Sequence, residues 1–214
     1  MRSLIVLCCA VVSSTLAASS AGAQRNLAFS LGGRVAAVQL DGAPAGTPDL
    51  RGPSVGFHGE LRVVVFTLDG EYQHTILRPG TSAAPYTMLE GQLMGGVRPV
   101  RWVELSAGPR IRQHMSPAGT YRTLQWDARL RAQTVLIPRY SRAVITGWRA
   151  FAGEVNALAS FRAGYGGEAF LELTAPSFLG WLRMGYRWDR TAYGDGRAET
   201  LEQMFVTAGF GFGR

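Results

Sequence analysis

His114-Met115-Ser116 sets a base two residues from a nucleophile. In an extended strand those two side chains lie on the same face. An imidazole so placed could take the serine proton as the hydroxyl attacks an ester. No particular Glu stands out in the chain to orient that imidazole, and a plainer reading makes His114 and Ser116 polar residues at the base of a loop over 113–120. His58 and Glu60 also share a parity and read as members of a polar network rather than a proton relay, while His74 reads as an interface residue. The only cysteines are Cys8 and Cys9, and no His/Cys cluster has metal-ligand spacing, so neither a metal nor a cofactor is expected. The glycines form no phosphate-cradling motif.

The elements carrying these residues alternate with period two. In Met88–Arg112, Leu89, Leu93 and Val97 oppose Glu90, Gln92 and Arg98; after a turn near Pro99, Val103, Leu105 and Ile111 oppose Glu104, Ser106, Arg110 and Arg112. Such alternation marks strands with one apolar and one polar face. The pattern recurs over 27–39, 55–65, 71–77, 122–135, 155–165, 168–173, 178–189 and 201–212. Asp69-Gly70, the turn near Pro99 and Ala175-Pro176-Ser177 read as tight turns, and Gly166-Gly167 as a further turn. The longer connections fall at 41–53, 78–85, 113–120 and 190–200, on the opposite rim from the tight turns. Between Leu136 and Glu154 the alternation blurs, leaving a connection, a short helix or part of a strand. The expectation is an all-β, transmembrane, antiparallel up-and-down β-barrel of about ten strands, or eight if part of 155–175 lies outside the wall.

Full charges decide which face meets lipid. Arg129 and Arg131 share a face, and each would cost about 2–4 kcal/mol if it met lipid at the bilayer midplane. Turned inward, Arg34, His58, Glu60, Arg62, Glu90, Glu104, Arg110, Arg112, Asp127, Arg129, Arg131, Glu172, Arg183 and Arg187 would form a charge network filling a lumen without an apolar core. Glu168 has the same parity. A soluble lipocalin-like barrel alternates too, with the faces exchanged. The long apolar face, the 27 glycines, and aromatics such as Trp102, Trp126, Trp148, Tyr186 and Trp188, several near strand ends, favour the membrane. Pro109 inside a strand calls for a bulge at Gly108-Pro109.

At the N-terminus, Arg2, an apolar run from Leu4 to Val12 and Ala21-Gly22-Ala23 have the layout of a secretory signal over 1–23, so the mature chain, 24–214, would be a single barrel domain free of cysteine. No later run approaches the roughly 18 apolar residues of a spanning helix. All 22 basic residues are Arg, and the net charge is +7. For an exported chain this points to lipopolysaccharide and phospholipid headgroups as partners rather than nucleic acid.

The last strand, MFVTAGFGFGR, with apolar and aromatic residues at alternate positions, resembles the C-terminal strand that the barrel assembly machinery recognises, although Gly213 and Arg214 follow the final aromatic Phe212. In this the chain is similar to the small outer-membrane β-barrel superfamily with OmpA- and OmpW-like barrel domains. That resemblance implies an outer-membrane, non-enzymatic protein with a structural, adhesive or ligand-contact role. His114-Met115-Ser116 resembles the His-x-Ser core of the lipid A 3-O-deacylases, except that Pro117 stands where that family has Asn. A comparison with omptin-like proteases rests on Asp41, Asp49, Asp195 and His114 without a matching motif. A narrow channel through the Arg/Glu lumen is the remaining alternative.

Overall fold

The computed structural model describes residues 27–42, 49–79, 85–117, 119–156, 160–175 and 179–212. The stretch read as a secretory signal, 1–23, lies outside them. The described residues contain no helix. They form β1 (Leu27–Asp41), β2 (Leu50–Val63), β3 (Phe66–Pro79), β4 (Tyr86–Val100), β5 (Val103–Ser116), β6 (Gly119–Ile137), β7 (Ser141–Val155), β8 (Phe161–Ala175), β9 (Gly180–Tyr193) and β10 (Ala198–Phe212). Each strand pairs antiparallel with its sequence neighbours, and β1 closes onto β10 through pairs such as Val35↔Val206. The result is a ten-stranded up-and-down barrel. At 14 to 19 residues, every strand exceeds the about 9–11 that a tilted strand needs to cross a bilayer.

Both ends of the barrel wall, Leu27 and Phe212, lie on the rim formed by the connections at 64–65, 101–102, 138–140 and 176–179. The opposite rim carries 42–49, 80–85, 117–118, 156–160 and 194–197. These are the turn rim and the loop rim. The wall's polarity is inverted relative to a soluble barrel. Val35, Val55, Phe57, Leu93, Leu105, Leu130, Ile145, Met204 and Phe210 are exposed on the outside, whereas Arg34, Glu90, Arg110, Asp127, Arg187 and Asp189 are buried within.

Several boundaries differ from the sequence reading. Asp69-Gly70 is not a turn: Val63 pairs with Phe66, the turn is Val64-Val65, and Asp69 and Gly70 run on inside β3. This register faces Glu60 with Asp69 across the strands and sends both inward, within 3.6 Å of Arg183 and 3.8 Å of Arg131 respectively. Val64 takes a positive φ of 57° to close the turn, a conformation no sequence rule assigns to a β-branched residue. The turn expected near Pro99 is Arg101-Trp102. Gly166-Gly167 lies within β8, because the chain before it is already paired: Arg149 meets Tyr165. The blurred stretch 136–154 is a tight turn, closed by Arg139 at φ 70°, followed by most of β7. Ten strands are therefore present, but one occupies 141–155 rather than 155–165.

The loops are correspondingly shorter. Gln113–Ser116 belongs to β5 and Gly119-Thr120 to β6, so this connection is only 117–118. The bulge expected at Gly108-Pro109 is absent. Gln92↔Arg110 and Gly95↔Ala107 keep one register across the gap, and Gly108, with no Cβ, sits against the Leu93 backbone. Register shifts occur instead at Val97/Val100, Trp126/Asp127, Val135/Ile137 and Phe161/Ala163.

Candidate functional site

The inward side chains meet in the lumen at two levels, an ionic middle and an apolar cap. In the middle, Arg112 of β5 donates from Nε to Glu90 (2.7 Å) and from Nη1 to Glu199 (2.8 Å), joining β4 to β10 across the barrel. Arg110, one step along the same face, bonds Gln125 (2.6 Å), lies 3.0 Å from Asp127 and pairs with Asp189. Arg187 pairs with Glu90. Trp148 donates from Nε1 to Asp189 (3.2 Å), and the guanidinium carbons of Arg129 and Arg187 stand 5.2 and 5.3 Å from its ring centre. Expected among the girdle candidates on the outside, Trp148 is a lumen residue, because β7 begins fourteen residues earlier than 155 and its parity turns the indole in.

Toward the turn rim, Arg34 pairs with Glu71 and lies 3.3 Å from Glu168. Arg183 bonds Glu172 (2.7 Å) and lies 3.6 Å from Glu60 and 2.9 Å from His58 Nε2. Arg131 lies 3.4 Å from Glu104, and Arg98 bonds the same carboxylate at 2.7 Å. Arg34 and Arg183 also lie over inward aromatics, Phe205 at 3.7 Å and Phe170 at 5.2 Å, the edges of a small apolar cluster with Val144. Arg62 lines a mouth of about 430 Å³ at the turn rim, with Arg98, Arg101 and Arg142. A cavity in the middle, lined by Arg34, Glu71, Arg129, Trp148 and Arg187 among others, holds about 30 Å³, room for about two water molecules.

Val38, Leu40, Leu50, Leu77, Tyr86, Met88 and Leu201 fill the loop end on the β10-β1-β2-β3-β4 side, nearly all completely buried. A lumen without an apolar core was therefore the wrong expectation. Short barrels do fill with their own side chains, and near the loop rim those side chains are hydrocarbon.

His114 lies beside this cap, almost fully buried, 5.7 Å from the Tyr86 ring and 5.6 Å from the Tyr121 ring. Its Nε2 is 3.3 Å from Glu199 Oε2, the same carboxylate oxygen that accepts from Tyr193 at 3.4 Å, while Oε1 accepts from Arg112. The structure thus brings a carboxylate to the histidine that the sequence left unaccompanied. Glu199 was hidden because 190–200 read as a loop, whereas it opens β10 on the inward parity. Ser116 shares the face, but its hydroxyl donates to the Gly119 carbonyl at 3.3 Å. Asp195 is held by Arg197, with contacts of 2.6 and 3.1 Å, and Asp41 accepts from Gln39 at 3.2 Å. Among the described residues, Glu199 is the acid paired with His114.

His58, Glu60 and Asp69 bring potential metal-ligand atoms within 4.8 Å of one another. Arg183 approaches His58 and Glu60, and Arg131 lies 3.8 Å from Asp69. Two fixed cations on the same three side chains repel a divalent ion, so this group reads as part of the ionic network. Besides Glu199, the sequence reading left Asp69, Glu71, Arg142 and Trp148 out of the lumen. The first two were obscured by the Asp69-Gly70 turn and the last two by the unassigned 136–154 stretch.

No protein-family model and no curated protein sequence matches the chain. Solved structures similar to it include Neisserial surface protein A (10% identity, 86% of this chain and 97% of that chain, TM-score 0.44). The translocator domain of the autotransporter NalP from Neisseria meningitidis is 11% identical over 98% of this chain and 95% of that chain, with a TM-score of 0.45. Ail, the attachment invasion locus protein of Yersinia pestis, is 11% identical over 87% and 99%, with a TM-score of 0.36. None of these likenesses bears on a residue's role.

Proposed function

We propose that this chain is an exported outer-membrane β-barrel of the small OmpA- and OmpW-like kind, with a sealed lumen and a structural, adhesive or ligand-contact role rather than catalysis. One observation carries the reading: an outward apolar wall encloses a lumen occupied first by paired charges and then by hydrocarbon, with about 30 Å³ left between the charges. Among the described residues, a middle so filled leaves little room for a substrate or an aqueous path between the turn-rim mouth and the cap. Its partners are the surrounding membrane lipid and, through the last strand, the barrel assembly machinery. The test is gel mobility of an outer-membrane fraction, unheated against boiled. A faster unheated band in that fraction is expected; a single mobility with the protein in the soluble pool would overturn the reading. In planar bilayers the purified barrel is expected to show no steady conductance, and a stable open current would revive the narrow channel.

The His114–Glu199 contact supports a second reading, an acyl hydrolase with His114 as base and Ser116 as nucleophile. Release of fatty acid from purified lipid A, abolished by His114→Ala, would establish it; equal release by both proteins would end it.

A further inference from the structure

On the outer wall, with Phe151 of β7 standing still nearer the loop rim, six strands each carry toward that rim an exposed arginine. These are Arg51 (β2), Arg78 (β3), Arg122 (β6), Arg149 (β7), Arg162 (β8) and Arg190 (β9). On β9 the outward sequence is Leu182, Met184, Tyr186, Trp188 and then Arg190. Toward the turn rim the outward strand residues are largely apolar, with Phe29 and Phe212 paired at 5.9 Å, and the exposed Arg101 and Arg139 stand in turns rather than on the strands. The guanidinium collar therefore belongs to one side of the membrane.

Its register makes two clamps. Arg51 and Arg78 face each other directly across β2 and β3. Like charges opposite one another on a sheet destabilise it unless an anion lies between them. Arg149 pairs with Tyr165, and Tyr165 with Arg190, so two guanidinia flank a tyrosine on three successive strands, about 10 Å apart at the usual strand spacing. Tyr165 in turn packs against Trp188 at 5.4 Å, at the upper edge of the apolar band. Among the described residues none of these four arginines forms an ion pair, in contrast to the paired arginines of the lumen. The outward acids nearby, Asp41, Asp49, Glu154 and Glu202, are fewer than the collar's arginines.

We propose that this collar docks the phosphorylated glucosamine headgroup of lipopolysaccharide in the outer leaflet, with Arg51–Arg78 and Arg149–Arg190 as the phosphate clamps. Guanidinium forks match phosphate oxygens, and the aromatic pair beneath them packs where acyl chains begin. The proposal rests on the outer-membrane reading above, with the loop rim outside.

The test uses the folded full-length barrel in a zwitterionic detergent. Native mass spectrometry would follow retention of bis-phosphorylated lipid A, of the same lipid A dephosphorylated, and of phosphatidylglycerol. Bis-phosphorylated lipid A is expected to bind at least about tenfold tighter than either of the others. R51Q/R78Q/R149Q/R190Q is expected to lose that advantage while keeping the fast unheated band. Should the fourfold variant lose that band, R51Q/R78Q and R149Q/R190Q, each read separately, carry the test. Equal retention of the dephosphorylated lipid, undiminished binding by the variants, or equal retention of phosphatidylglycerol would each overturn the proposal. Failure of the outer-membrane reading shows itself separately, as wild-type protein in the soluble fraction with one gel mobility.

Discussion

Going up the inner face of β1 from the turn rim, Arg34 gives way to Val38 and Leu40. On β3, Glu71 gives way to Leu77, and on β4, Glu90 gives way to Met88 and Tyr86. The same strands, on the same parity, thus build an ionic middle and an apolar cap. Each half resists change differently. A buried ion pair contributes little over a well-packed apolar replacement, because desolvating both charges offsets their attraction, yet removing one partner strands the other. The cap gains from hydrocarbon contact, and truncation there leaves a cavity. The middle joins distant strands through ion pairs; the cap fills one side of the loop end with hydrocarbon.

The largest expected effect is Arg112→Leu, which removes the guanidinium shared by Glu90 and Glu199 and leaves them, among the described residues, only Arg187 and His114 as ion-pair partners. A loss of about 3–5 kcal/mol is expected in urea unfolding from lipid vesicles. Replacing both ends, Arg112→Leu with Glu199→Gln, is expected to cost less than the two single changes summed; strict additivity would mean that the ions are not coupled. In the cap, Leu40→Ala is expected to cost about 2–4 kcal/mol by leaving a void among Leu50, Leu77 and Leu201. A cost near zero would show that the cap is loosely packed and would remove the contrast. Smallest is Arg142→Gln at the partly exposed turn mouth, where solvent screens the Glu172 pair at 2.8 Å; about 1 kcal/mol or less is expected from the same unfolding curves.

Periodicity made the wall legible and its seams much less so. Alternation assigns a side chain to inside or outside over Met88–Arg112 without reference to any partner. It does not say where a strand stops when a turn is made by Val64-Val65 or Pro138-Arg139-Tyr140, since neither carries the glycine or asparagine that marks a hairpin. An Asp-Gly pair inside β3 and a Gly-Gly pair inside β8 carry the marks without the turns, because strand pairing outweighed local preference at both. Inward arginines and carboxylates within well-bounded strands could be read from parity, unlike Asp69, Glu71, Arg142 and Glu199, but not their partners, which lie on distant strands such as β5 and β10. The cap was missed for a related reason: Leu40, Leu77 and Leu201 sit at strand ends beside residues read as loop, where parity had no run to follow.

The account's central claim is that polarity is inverted across the wall. Because the chain's cysteines are confined to positions 8 and 9, single cysteines can be placed one at a time along β9 from Leu182 to Asp189 and labelled with a fluorophore in vesicles of brominated lipid. Strong quenching is expected at 182, 184, 186 and 188 and weak quenching at 183, 185, 187 and 189. The reverse alternation would put the apolar face inside and contradict the account.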